Sequence, residues 1–152
     1  MITHDLRRIT RAKELQDSAK EVEKLVKETL SPRLNDVGLL RDIYRHFKDF
    51  VDGVKTRRHT EVRREFLFIV AYLYCPSVLV GGTMPKGFRG LLKDILHVES
   101  PSAISNYTSD LLFIYEHYRD FRELVEGAFT YIADKMNLYS LMYLSVESEK
   151  RD

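Results

Sequence analysis

Tryptophan is absent from this chain of 152 residues, and cysteine occurs once, at Cys75. A single cysteine closes no internal disulfide, so packing must hold the fold and a reducing, cytoplasmic setting is expected. Cys75 sits in an apolar run before Pro76 and reads as a small buried hydrophobe. An excess of charge of one sign is also missing: 24 Lys and Arg face 23 Asp and Glu, for a net charge of +1. That balance excludes a broadly basic nucleic-acid binder and leaves room only for a local basic face. No apolar run is long enough for a membrane. The longest, Phe66 to Val80, is broken by Pro76, against roughly 20 residues for a bilayer span. The opening "MITHDLRRITRAKEL" is charged without an apolar centre and does not read as a signal peptide.

The motifs of catalysis are missing as well. The five histidines, His4, His46, His59, His97 and His117, make no HxxxH, HExxH or Cys/His pair at metal spacing. Asp42 precedes His46 by four residues and Glu116 adjoins His117, but neither pair has a third partner for a triad, and no GxSxG occurs. The loop "PSVLVGGTMPKG" lacks the GxxxxGK[ST] spacing of a phosphate loop. Glu116, Asp120 and Glu123 could share a helix face, yet Arg119 and Arg122 interleave with them, which reads as a solvated ion-pair face. We assign no catalytic residue, no metal ligand and no cofactor, and expect a non-enzymatic protein.

Glycine (7) and proline (4) are sparse, and apolar residues recur every three or four positions. Hydrophobic residues make up 44%, including 9 Tyr and 8 Phe. These features predict an all-α fold of five to seven helices with an aromatic core or interface. Residues 1–31 are expected to form a long helical arm. Leu6, Ile9, Ala12, Leu15, Ala19, Val22, Val26 and Leu30 draw one narrow stripe among charges. A narrow stripe suits either a coiled-coil seam between copies or a helix lying on its own domain. Pro32 ends it.

Residues 35–146 are expected to form a helical domain, and 147–152 a charged tail. Asn35 or Asp36 caps a helix to about Val54 with core face Leu39, Leu40, Ile43, Phe47, Phe50 and Val54. "KTRRHTEVRRE" follows, the densest basic patch, holding Lys55, Arg57, Arg58, Arg63 and Arg64. It is a solvated face or a place for phosphate contacts. Glu61 to Cys75 reads as a central buried helix, with a strand as the alternative for "FLFIVAYLY". Further helices are read over Gly87 to Leu96, from Ser102 through Tyr118, and over Asp120 to Met136. Residues 138–146 fit helix or strand. Phe113, Tyr115 and Tyr118 could belong to the core or to a dimer face.

Within residues 86–118 the stretch "LHVESPSAISNYTSDLL" supplies the parts of a two-helix corner. Leu92, Leu96 and Val98 can anchor the first helix and the turn. Ser100 can cap the second helix, and Pro101 falls at its first position. Ile104, Tyr107 and Leu111 then point inward, and Ser102, Ser105, Asn106 and Ser109 face outward. "LHVESPSAIS" resembles the helix-turn-helix of bacterial and phage regulators, whose pattern is an apolar residue, "LGVS", two variable residues and "TVS" or "TIS". The resemblance implies DNA as partner, with Ser102, Ser105, Asn106 and Ser109 towards the bases. Lys86, Arg89, Lys93, Arg57 and Arg58 would hold phosphates. It fits a transcription regulator or a DNA-processing accessory protein of a bacterium, phage or mobile element. Three positions depart from the pattern. His97 stands for Gly, Glu99 is an extra residue in the turn, and Lys93 stands for a small Ala. The reading from a different class is an α-helical assembly protein that binds proteins and forms homo-oligomers through the N-terminal helix or the aromatic face.

Overall fold

The three-and-four spacing of apolar residues becomes seven α-helices, with no strand among the described residues. The structure, a computed structural model, describes residues 1–54 and 59–142. It divides into two units, Met1–Ser31 and a second that begins at Pro32.

The first unit is α1, Ile2–Thr29, a helix of 28 residues with none buried. Leu6, Ile9, Leu15, Val22 and Val26 are all exposed. Ion pairs Arg11–Glu14 (3.4 Å) and Lys24–Glu28 (4.0 Å) run along its surface. The Leu30 N–H reaches the Val26 carbonyl, and the Ser31 hydroxyl donates to the Lys27 carbonyl at 2.7 Å. Those bonds satisfy carbonyls the last turn would otherwise leave open before Pro32.

In the second unit the Asp36 carboxylate accepts from the Gly38 N–H at 2.9 Å and starts a 3-10 turn, Val37–Leu39. α2 follows as Leu40–Asp52, so the regular helix begins later than the cap residues suggest. Leu40, Ile43, Phe47 and Val51 are buried. Val54, expected on that face, is exposed instead. α3, His59–Tyr74, is helical where a strand was the alternative. It is the central element and packs against α2, α5, α6 and α7. Phe66, Leu67, Val70, Ala71 and Leu73 are fully buried, and so is Glu65, which the sequence places among polar neighbours. Both the Arg33 and Leu34 N–H groups donate to the Leu73 carbonyl, and the Tyr74 hydroxyl donates to the Asp36 carbonyl at 2.7 Å. The segment entering the unit is thus tied to the end of α3.

Cys75 is buried as expected, and burial pushes its thiol up to about 11. The loop after it holds a second 3-10 turn, Pro76–Val80. α4 is Phe88–Leu96 and α5 is Pro101–Thr108. The helix read from Ser102 through Tyr118 is two helices. α5 stops at Thr108, and α6 is Leu111–His117. Asp110 between them is left-handed, with φ 63°. The chain breaks again at Tyr118 before α7, Arg119–Met136. α7 lies along α2, with Gly127 close against it: a Cβ there would lie 2.9 Å from the tip of the Phe50 ring, which would have to shift. Residues 138–142 are helical, with Leu138 fully buried. Lys55, Arg57, Arg58, residues 143–146 and the tail 147–152 lie outside the described residues. No described helix is long and apolar enough to cross a membrane.

Candidate functional site

α4 is amphipathic, and Phe88, Leu92, Ile95 and Leu96 all face the core. Its end decides how α5 leaves. His97, with φ 54° and ψ 44°, is left-handed, a conformation that glycine adopts more readily than any other residue. The His97 N–H and the Val98 N–H both reach the Lys93 carbonyl, the latter at 3.2 Å. That six-to-one bond, with Val98 buried behind it, is a Schellman-type stop. A histidine can take this shape at a cost of about 1 kcal/mol.

The four residues from His97 to Ser100 then turn the chain into α5. Ser100 is extended and occupies the N-cap position, with Pro101 at the first helical position, as the sequence suggests. Its hydroxyl pairs with the Ser102 hydroxyl at 2.8 Å, however, and makes no capping bond to the helix. Ile104 is fully buried, Leu111 nearly so, and Tyr107 is half-buried. Tyr107 has a partner the sequence does not reveal: Arg63 of α3 donates to its hydroxyl at 2.9 Å and lies over its ring. Arg63 therefore leaves the basic patch it was read with and locks α5 onto α3.

Opposite these anchors, Ser102, Ser105, Asn106 and Ser109 are all exposed. Their spacing of three, four and seven from Ser102 puts them on one stripe of the helix. Arg89 of α4 donates to the Ser105 hydroxyl at 3.0 Å, so a guanidinium is fixed at the edge of the stripe. The Thr108 and Ser109 hydroxyls bond back to the carbonyls of Ser105 and Asn106. Among the described residues nothing bonds the Asn106 amide, which keeps one acceptor and two donors for a ligand.

Lys86 is exposed beyond the start of α4. Lys93 is about one-third exposed and lies 3.9 Å from Asp94, so part of its charge is already answered. Arg57 and Arg58 fall outside the described residues. A cleft of about 300 Å³ opens where Gly81, Gly82 and Thr83 face Arg89, Ser105 and Ser109. The sequence shows only a Gly- and Pro-containing loop here.

No protein-family model, curated protein or solved structure matches the chain. Function must then be argued from the site's own chemistry. It offers short hydroxyls and one amide on a slim helix, one clamped arginine, and Lys86 nearby. Glu99 and Asp110 are exposed at the ends of α5 and oppose an anion there. The other polar face behaves as an ion-pair surface. Arg119 and Glu123 pair at 2.7 Å, and Arg122 donates to the Tyr115 and Glu116 carbonyls. Among the described residues no group of three His, Cys, Asp or Glu could hold a metal.

Proposed function

We propose that the protein binds DNA without catalysis, using α4, the turn at His97 and α5 as a helix-turn-helix, in the role of a regulator or DNA-processing accessory protein. The observation that carries this is the exposed stripe Ser102, Ser105, Asn106 and Ser109 on a helix held from behind by buried Ile104. A major groove about 12 Å wide admits such a helix, and an amide can pair bidentately with adenine. Arg89, held on Ser105, and Lys86 would contact phosphates on either side of the groove. Lys93 contributes less, because Asp94 competes for it. The cytoplasmic setting expected from the lone cysteine suits this reading.

The test is titration of mixed duplexes at low and moderate salt, followed by selection of a preferred site. Binding that weakens steeply with salt is expected, because phosphate contacts release counterions. Asn106→Ala should cost roughly 1–3 kcal/mol on the preferred site and little on others, and Arg89→Ala should lower the salt slope by about one. No binding at low salt would end the proposal.

A second reading, protein assembly, is favoured by one specific observation. Taken by itself, α1 buries none of its 28 residues and presents a full apolar stripe. Isolated helices are marginal in water unless something covers that face. Homo-oligomers through α1 fit this reading and do not compete with the DNA reading. Phe113 and Tyr118, both exposed, offer a smaller second face.

A further inference from the structure

A cavity of about 320 Å³ opens on the side of α3 that faces α6 and α7. The space is partly open to solvent and is large enough to hold a small molecule. Two aromatic pairs form its walls. The rings of Phe68 and Tyr115 stack at 4.8 Å and 7°, and those of Tyr72 and Phe129 meet edge to face at 5.4 Å. Phe68 and Tyr72 stay only half-buried although they sit on the central helix, because the cavity uncovers them. Leu79, Leu112 and Val125 complete an apolar lining.

One lining residue is charged. Glu126 lines the cavity, and its Oε1 accepts the Tyr115 hydroxyl. Among the described residues the second carboxylate oxygen has no hydrogen-bond donor, and none of those that line the space is cationic. Arg33 lies over the Tyr72 ring, but it donates to the Tyr72 carbonyl, and neither it nor Arg122 is part of the lining. Pockets of this size take small molecules. Aromatic faces favour a flat ring and attract a cation.

We infer that this cavity is a binding site for a small aromatic amine, with its ring between the two aromatic pairs and its ammonium on Glu126. The site is separate from the α4–α5 face, and the inference does not depend on DNA binding.

The missing tryptophan makes the test direct, because indole emission excited at the red edge of its band comes only from an added ligand. The full chain is titrated with tryptamine, indole and indole-3-acetate, which share a ring and differ in head-group charge. A saturable blue shift is expected with tryptamine, at an affinity roughly tenfold above that of indole, with the acetate weakest. Glu126→Gln, at an exposed position, should remove the advantage of tryptamine over indole while the melting temperature stays put. Tyr115→Phe keeps the ring, frees the carboxylate oxygen, and should bind tryptamine at least as tightly as the native chain. No saturable shift with any of the three would overturn the proposal. Equal affinity for all three, or an unchanged ranking in Glu126→Gln, would overturn it as well.

Discussion

Position 97 carries a histidine in a backbone shape that glycine adopts freely. His97→Gly relieves the Cβ crowding and loses some unfolded-state rigidity, so a gain of at most about 1 kcal/mol is expected. His97→Val puts a β-branched residue where it is a strong outlier and should cost more than about 1 kcal/mol. Thermal melts of the two variants check this, and equal melting temperatures would contradict the cap described here. Cys75 gives a second residue-scale prediction. Burial favours the neutral thiol and raises it from 9.0 to about 11. The native state therefore holds its proton where the unfolded state has lost it. The resulting contribution to stability is complete below pH 9 and disappears as pH climbs towards 11. Denaturant unfolding across that window should show a steeper fall for the native chain than for Cys75→Ala. Parallel curves would place the thiol in water.

At the scale of elements, α5 is anchored most deeply by one side chain. Ile104 is fully buried at the middle of its inner face. Ile104→Ala should cost about 2–5 kcal/mol and weaken any function of the outer stripe, whereas Ser102→Ala on the exposed side should stay within about 0.5 kcal/mol. Urea unfolding compares them. Much of α5 was legible beforehand: the Ser-Pro start, the inward anchors and the outward stripe all follow from spacing. Its end was not. Leu111, Leu112 and Tyr115 continue an apolar spacing past Ser109, so nothing in the pattern announces that Asp110 turns left-handed and starts a new helix. The cavity was illegible for a related reason. Phe68, Tyr72, Leu112 and Tyr115 carry the spacing of core residues, and spacing does not say whether the side chains meet or leave a hole. Long-range partners are equally silent in sequence: Arg63 and Tyr107 lie 44 residues apart, and Arg33 and Tyr72 lie 39 apart.

At the scale of the molecule, α1 is the feature to explain. From Ile2 to Leu30 its apolar residues advance 28 positions in eight steps, a mean of about 3.5, which is the period of a left-handed coiled coil. Sedimentation of the native chain should give a mass above the monomer. The pair of substitutions Leu15→Lys and Val22→Lys, both on exposed stripe positions, should return it to the monomer and leave the melting of the remainder nearly unchanged. A monomeric native chain would leave the stripe without the partner proposed for it. Symmetry adds a consequence for the nucleic acid. Two identical helices that pair in a closed dimer are related by a two-fold axis, and everything they carry is duplicated about it. If both proposals hold and each copy of α5 follows that axis, the two would read the same letters on opposite strands, and the preferred DNA would be an inverted repeat with a spacer set by the distance between the two helices.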